Sequence, residues 1–163
     1  MTAIFEDSLC GRRLSELDNP LTVFLYLVGS AVDCIAVFVL LRVVYTLKLK
    51  HLIQTLGAVL SISIGLGLKS VLAVPRPPGS CLETFAAPSG DTQQLTAALY
   101  VLYLDQRSKR PYKAALSVVL VALEAYSRVH LGHHTVLQTL AGVSVGLLLT
   151  TLWTWLTRPS IFK

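Results

Sequence analysis

Charged residues are scarce in this sequence, and a soluble domain of any size is missing. Only 14% of the 163 residues are Asp, Glu, Lys or Arg, whereas 53% are hydrophobic. The mean hydropathy of +0.64 is too high for an ordinary soluble domain. We find no internal repeat, no low-complexity segment and no cleavable signal peptide, because the polar residues 1–20 do not pair a basic start with an apolar core. The composition therefore predicts an integral membrane protein.

Long apolar runs take the place of the missing polar stretches. A bilayer core of roughly 30 Å requires about 20 apolar residues in a helix. The predicted helices cover residues 21–41, 52–74, 92–104, 112–129 and 136–156. The third is short for a full span, so we expect it to be tilted or to border a polar cavity. We predict one all-α membrane domain over residues 1–163, a helical bundle of about five transmembrane helices.

Lysine and arginine fall mainly on one side of this predicted bundle. Loops rich in these residues stay cytoplasmic, so the N-terminal segment and the loops around 75–91 and 127–135 are predicted to face a lumen or the outside. The net charge of +5 follows from this asymmetry. Because the basic runs lack interleaved aromatic residues, we expect no nucleic-acid partner. The cations assigned to the cytoplasmic side are Arg42, Lys48, Lys50, Arg107, Lys109, Arg110, Lys113, Arg158 and Lys163.

Three polar clusters gather on the other, non-cytoplasmic side. Lys69 lies at the end of the second helix and Arg76 follows it, residues 88–91 (PSGD) open the third, and residues 127–134 join the fourth to the fifth. Arginine offers a fork of donors to phosphate oxygens and lysine a point charge, while a helix N-terminus is a ready anion site. This combination predicts a phosphate pocket.

A histidine in the third cluster has the chemistry to react with a bound phosphate. The imidazole of His134 suits a nucleophile or an acid–base group near neutral pH. Gln138 lies one helical turn later, where its side chain is predicted to accept the Nδ1 proton of His134. That hydrogen bond would leave Nε2 free to attack.

The three clusters, taken in order, resemble the motifs of the type 2 phosphatidic acid phosphatase (PAP2) family. Residues 69–77, 88–91 and 127–138 match KxxxxxxRP, PSGH and SRxxxxxHxxxD in spacing, over roughly residues 50–155. The resemblance implies an enzyme in which His134 forms a phosphohistidine, with no metal or cofactor. The phosphate-binding residues that it implies are Lys69, Arg76, Ser89, Gly90 and Arg128.

Two positions depart from the family pattern. Asp91 stands where the family has the histidine that protonates the leaving group, and Gln138 stands where it has the aspartate that orients the nucleophile. Both positions belong with His134 among the candidate catalytic residues. Within the family, residues 126–138 (YSRVHLGHHTVLQ) look most like the dolichyl diphosphate phosphatases.

The aspartate at position 91 favours one class of substrate. Hydrolysis of a phosphate monoester expels an alkoxide unless an acid protonates it, whereas hydrolysis of a diphosphate expels a lipid phosphate whose second pKa is about 6. A carboxylate beside cations stays ionised and is a poor acid. We therefore expect the substrate to be a polyisoprenyl diphosphate such as dolichyl diphosphate. Together with the loop charges, the resemblance implies hydrolysis at the luminal face of the endoplasmic reticulum, with the plasma membrane as the alternative location.

Other functions remain open at this point. Phosphatidate or another lipid monophosphate is the alternative substrate, and Asp91 and Gln138 also admit an inactive relative that only binds a lipid phosphate. His130 and His133 are expected to lie at the interface or to support the site, with supply of the missing acid as their alternative role. The run HLGHH suggests a metal, but the absence of nearby carboxylates and the flanking arginines argue against one. The sequence does not indicate an oligomeric state.

A few further residues carry structural expectations. Asp33 is costly inside a membrane helix and is expected to face the bundle. Glu124 lies four residues before Arg128 on the same helical face and is expected to brace it. Cys10 and Cys81 both fall on the non-cytoplasmic side, where a disulfide between them is one alternative. Cys34 is expected to be buried mid-membrane.

Overall fold

A computed structural model describes residues 19–78, 80, 84–105 and 112–161. Within these residues the chain forms five α-helices, each of which overlaps one predicted apolar segment. They are α1 (Pro20–Thr46), α2 (Leu49–Leu72), α3 (Gly90–Asp105), α4 (Tyr112–His130) and α5 (Val136–Ile161). The prediction of an all-α bundle is confirmed.

The first two helices have clear stop and start signals. The Asn19 side chain accepts a hydrogen bond of 2.9 Å from the Leu21 backbone N–H, and Pro20 occupies the first turn of α1, where its missing N–H costs nothing. Leu47 then adopts a left-handed conformation with φ of 48°, which ends α1. Since only two residues separate α1 from α2, the two helices run antiparallel as neighbours.

Three helices, α1, α2 and α5, are long and apolar enough to cross a membrane by length and composition. The other two are shorter, with 16 residues in α3 and 19 in α4. α1 exposes many large apolar side chains, among them Phe24, Leu27 and Phe38, as a helix surrounded by lipid does. The bundle therefore presents an apolar outer surface suited to a bilayer.

The short α3 lies at the centre and contacts all four other helices. Most of its length is buried, and its buried side chains include the polar residues Thr92, Gln93 and Thr96. Thr92 Oγ1 donates to the Thr139 carbonyl of α5 at 3.2 Å, and Gln93 Nε2 donates to the Ser61 carbonyl of α2. A central position explains why a short and partly polar helix is tolerated here, because its polar groups bond to neighbouring helices rather than facing lipid.

The close contact between α3 and α5 depends on glycine. A Cβ at Gly142 of α5 would collide with the carbonyl oxygen of Ser89 and with Thr92 Oγ1, and a Cβ at Gly146 would lie 2.8 Å from the Gln93 carbonyl oxygen. The absence of both side chains lets α5 approach the first turns of α3. This approach brings the start of α3 and the start of α5 into one polar region.

Some structural expectations fail or lie outside the described residues. Asp33 lies on the side of α1 that faces α4, as expected, because it is one turn after Gly29, which approaches Arg128, and it interacts electrostatically with Arg128 and Glu124. Its side chain nevertheless stays exposed. Cys34 is exposed rather than buried, because Val32 and Val39 occupy the most buried face of α1. The possible disulfide between Cys10 and Cys81 falls on residues that the structure does not describe, as does most of the polar N-terminal segment.

Candidate active site

The predicted phosphate-pocket residues converge at one end of the bundle. This end is built from the last turn of α2, the segment after it, the first turns of α3 and α5, the last turn of α4 and the loop that follows. Contacts or close approaches link each of the three motifs to another. The candidate residues that the structure brings together there are Lys69, Arg76, Ser89, Gly90, Asp91, Arg128, His134 and Gln138.

Arg76 holds the segment after α2 against the histidine loop. Its Nε and Nη2 donate to the carbonyl and the hydroxyl of Thr84, both at 2.9 Å. Its Nη1 donates to the His133 carbonyl at 3.0 Å and lies 3.5 Å from His134 Nε2. Burial lowers the pKa of the Arg76 guanidinium from its ordinary value, but arginine remains charged at any physiological pH. A full positive charge therefore stands next to the predicted nucleophilic nitrogen.

His134 is almost completely buried, with 3% of its surface exposed. Burial, followed by the charge of Arg76, lowers the pKa of His134 from 6.5 to about 3. The imidazole is consequently neutral near pH 7, so that one ring nitrogen keeps a lone pair. Among the described residues, Nδ1 has no hydrogen-bond partner. A neutral ring with Nε2 beside Arg76 is in the state that nucleophilic attack on phosphorus requires.

The loop that carries His134 is fixed by backbone hydrogen bonds. The N–H groups of His133 and His134 both donate to the Arg128 carbonyl, at 3.0 and 3.2 Å. Gly132 makes this possible because it adopts a φ of +74°, which residues with a Cβ rarely do. α4 thus ends in a tight turn that directs the next residues back over Arg128.

The predicted hydrogen bond between Gln138 and His134 Nδ1 is wrong. Gln138 Oε1 instead accepts from the Thr135 N–H at 2.8 Å, and Thr135 Oγ1 accepts from the Gln138 N–H at 3.3 Å. This reciprocal pair is a capping box at the start of α5. The Gln138 amide nitrogen donates to the Pro75 carbonyl at 3.1 Å. Gln138 therefore ties the Arg76 segment to α5, and the sequence signal that indicates this is Thr-x-x-Gln at residues 135–138.

Arg128 is held by carboxylates, as the Glu124 interpretation anticipates. Its Nε donates to Glu124 Oε1 at 2.6 Å and lies 3.3 Å from Asp91 Oδ2. Its Nη2 donates to the Gly29 carbonyl of α1 at 3.3 Å. Glu124 is fully buried, and its second oxygen has no hydrogen-bond partner in the part of the chain that the structure describes. Arg128 thus links α4, α3 and α1.

The start of α3 offers fewer backbone donors to an anion than its sequence suggests. The Ser89 N–H already donates to the Gln138 carbonyl at 3.0 Å. The next N–H groups, those of Gly90 and Asp91, open the helix and have no intrahelical acceptor. A Cβ at Gly90 would lie 3.2 Å from Lys69 Nζ, so the glycine lets the lysine ammonium approach the helix end. Lys69 and these two amides form a second group of donors in addition to Arg76.

Two residues of the third motif have structural roles that the motif alone does not reveal. The Ser127 hydroxyl donates to the Leu25 carbonyl at 2.8 Å and is fully buried, which joins α4 to α1. The His130 ring stacks on Tyr126, with centroids 5.6 Å apart. Four further residues accept hydrogen bonds from side chains of the motifs through a backbone carbonyl, namely Thr84, Gly29, Leu25 and Pro75. Sequence reasoning missed them because a carbonyl acceptor has no residue-type signature.

Comparison with known proteins places this architecture in context. The family model described as the PAP2 superfamily matches residues 50–161. No curated protein matches the chain. Among solved structures, a transmembrane PAP2 type phosphatidylglycerolphosphate phosphatase from Bacillus subtilis is similar, with a TM-score of 0.69 and 22% sequence identity. The match covers 96% of this chain and 84% of that one, and at this identity it supports the fold.

Proposed function

The chain belongs to the PAP2 superfamily, and on that premise we propose that it is a membrane lipid phosphatase that works through a phosphohistidine at His134. The observation that carries the proposal is the 3.5 Å approach of Arg76 Nη1 to His134 Nε2 in a buried pocket. A neutral imidazole nitrogen beside a fixed guanidinium can attack phosphorus while the arginine stabilises the charged phosphate oxygens. The proposed substrate is a lipid phosphate whose tail stays in the bilayer.

The proposed reaction has two steps. In the first, the lone pair of His134 Nε2 forms a bond to the terminal phosphorus, and the bond from phosphorus to the leaving oxygen breaks with its electron pair on that oxygen. In the second, water attacks the phosphohistidine, the P–N bond breaks, and inorganic phosphate leaves while Nε2 regains its lone pair. Lys69, Arg76 and the first amides of α3 would stabilise the equatorial oxygens in both steps.

Asp91 gives the proposal its substrate preference. Its carboxylate forms an ion pair with the Arg128 guanidinium, with 3.3 Å between Oδ2 and Nε. An ionised carboxylate has no proton to give to an alkoxide, so a substrate with a good leaving group is favoured. A polyisoprenyl diphosphate such as dolichyl diphosphate expels a lipid phosphate and meets this requirement.

A lipid monophosphate is the second candidate substrate. The similar Bacillus subtilis structure is that of a phosphatidylglycerolphosphate phosphatase, an enzyme whose printed name describes removal of a phosphate from a lipid. Hydrolysis of a monoester in this pocket would require an acid other than Asp91. His130 in the last turn of α4 is the alternative donor, although its ring stacks on Tyr126.

The active-site end is proposed to face the lumen of the endoplasmic reticulum, with the outer face of the plasma membrane as the alternative. The support is the charge asymmetry of the loops. A glycosylation acceptor inserted near Glu83 should be modified in cells, whereas one inserted near Ser108 should not. The reverse pattern would invert the orientation.

The proposal is tested by phosphate release from the detergent-purified protein, with a metal chelator present throughout. Dolichyl diphosphate and phosphatidate are supplied in parallel, to the wild type and to His134→Ala. We expect release that prefers the diphosphate and disappears in the variant. Folded protein that releases phosphate from neither lipid would instead support a binding protein, and release that the chelator abolishes would contradict the metal-independent mechanism.

A further inference from the structure

An apolar groove lies between α3, α4 and α5, and its lining contains none of the candidate active-site residues. Its volume is about 600 Å³, within the range of about 300–1,000 Å³ typical of sites for small ligands. Along α4 it extends from Ala114 to Ala125, a length of ~16 Å at about 1.5 Å per residue. The opposite wall is formed by Leu140, Val143 and Leu147 of α5.

Small side chains at helical spacing create the groove. Ala114, Ala122 and Ala125 line it from α4, where larger residues would fill the space between α4 and α5. Two of the hydroxyls in its lining are satisfied on their own helices, since Ser117 Oγ donates to the Lys113 carbonyl and Thr96 Oγ1 donates to the Thr92 carbonyl. The groove thus offers an apolar ligand no unsatisfied hydroxyl at these two positions.

One end of the groove lies next to the active-site end of the bundle on α3 and α4. Ala125 precedes Arg128 by three residues on α4, and Thr96 lies one turn beyond Thr92, which is in the first turn of α3. Residues three or four apart share a helical face. A ligand whose charged group binds in the active site therefore has an apolar path that begins about one helical turn from Arg128.

We propose that this groove binds the hydrocarbon chain of the substrate, in the part closest to the phosphate. The inference rests on the proposed function and adds a second, apolar site to the same lipid. The groove is open to the membrane side, because Val118 and Leu147 in its lining are 68% and 43% exposed. Its length of ~16 Å is about half of a bilayer core of roughly 30 Å. The rest of a long chain remains in the bilayer, and recognition acts on the first carbons of the tail.

The experiment fills the groove and compares tails of different length on one head group. Ala122→Trp is compared with Ala115→Trp, since Ala115 is an exposed alanine on the same helix that does not line the groove. Substrates are a long-chain and a short-chain polyprenyl diphosphate, and a matching pair of phosphatidates. We expect Ala122→Trp to lower the ratio of long-chain to short-chain kcat/KM about tenfold, because losing the burial of about two methylene groups has an effect of that size. Ala115→Trp should leave the ratio as in the wild type.

An equal loss of activity on both tails, or an unchanged ratio in Ala122→Trp, would overturn the proposal. Thermal unfolding of each variant in detergent checks that it is folded, and the smaller change Ala122→Leu should lower the ratio less than Ala122→Trp does. A change of oligomeric state in Ala122→Trp with no change in the ratio would mean that a second copy of the chain occupies the groove, and would also overturn the proposal.

A binding measurement separates the groove from the chemistry. In His134→Ala, native mass spectrometry should detect retained long-chain polyprenyl phosphate, and the additional change Ala122→Trp should reduce this retention about tenfold relative to Ala115→Trp. If the wild type turns over no lipid but this difference persists, the phosphatase proposal fails and the groove proposal stands. If the phosphate-free polyprenol were retained as well as the polyprenyl phosphate, the occupant would be identified as ordinary bilayer lipid, and the groove proposal would be overturned.

Discussion

The two arginines of the pocket are held in opposite ways. Arg76 donates to neutral oxygens, those of Thr84 and His133, and its charge is left to act on His134. Arg128 contacts two carboxylates, Glu124 and Asp91, so much of its charge is balanced before any substrate arrives. We infer from this difference that the two cations have different roles, although both were expected to bind phosphate: Arg76 is placed to act on a bound phosphate, while Arg128 links three helices and pairs with Asp91.

The largest effect on activity is expected at His134, the residue beside Arg76. His134→Ala should reduce phosphate release about a thousandfold or more, because the nucleophile is lost. Release is measured under single-turnover conditions. The matched control is His130→Ala, which should change activity only a few-fold since its ring stacks on Tyr126. A comparable loss in both variants would show that His130 takes part in the chemistry.

The comparison between the arginines is tested by replacing each one with glutamine. Arg76→Gln should lower kcat/KM about a hundredfold, as loss of an oxyanion donor does, and should destabilise the protein less than Arg128→Gln, because the hydrogen-bond partners of Arg76 are neutral oxygens. Arg128→Gln should also destabilise the protein, by about 3–5 kcal/mol, because a fully buried Glu124 charge loses its partner. Thermal unfolding in detergent measures both.

The double variant Arg128→Gln with Glu124→Gln sharpens this test. It should recover stability relative to Arg128→Gln alone, because the unpaired buried carboxylate is removed together with its partner. It should not recover activity. If Arg76→Gln destabilised the protein more than Arg128→Gln did, the proposed division of roles would be wrong.

A smaller effect is expected at Asp91, the carboxylate that Arg128 positions. Asp91→His should raise the ratio of phosphatidate to dolichyl diphosphate hydrolysis about tenfold, which is less than the roughly 10²–10⁴-fold that a fully positioned general acid contributes. Asp91→Asn, which cannot donate as an acid, should leave that ratio nearly constant. An unchanged ratio in Asp91→His would remove the argument for diphosphate preference.

The smallest effect is expected in the pH dependence of kcat/KM. The pKa of His134 is lowered to about 3 by burial and then by Arg76, so in the wild type the attacking ring stays neutral as the pH falls below 6.5. Arg76→Gln removes one lowering contribution, and the pKa of His134 should rise towards its ordinary value. kcat/KM of that variant should then begin to fall at a higher pH than in the wild type. The same substrate is used for both, so its own ionisation cancels. Identical acid limbs would contradict the influence of Arg76 on His134.

Sequence reasoning recovered the parts of this molecule that local patterns determine. Apolar runs predicted the five helices, and charged residues at fixed spacing predicted which segments meet in the pocket. The Glu124 and Arg128 pair followed from a spacing of four on one helix. Each of these features depends on residues close in sequence or on strong polarity contrasts.

The features that sequence reasoning missed depend on distant contacts. Gln138 was assigned to His134 by proximity along the helix, but its side chain bonds Thr135 and Pro75. Cys34 was expected to be buried mid-membrane, but helical phase leaves it exposed on α1. The groove beside α4 arises from alanines that become a cavity only once α5 packs beside them, which composition does not reveal.

The central claim is that His134 carries the phosphoryl group. The most direct test is rapid quenching of the wild-type protein with dolichyl diphosphate labelled in the terminal phosphate, followed by digestion at alkaline pH and mass spectrometry of the peptide spanning residues 127–138. We predict an acid-labile phosphoryl group on His134, absent in His134→Ala and weaker in Arg76→Gln. A phosphoryl group on His130 or His133, or turnover without any phosphorylated histidine, would contradict the account.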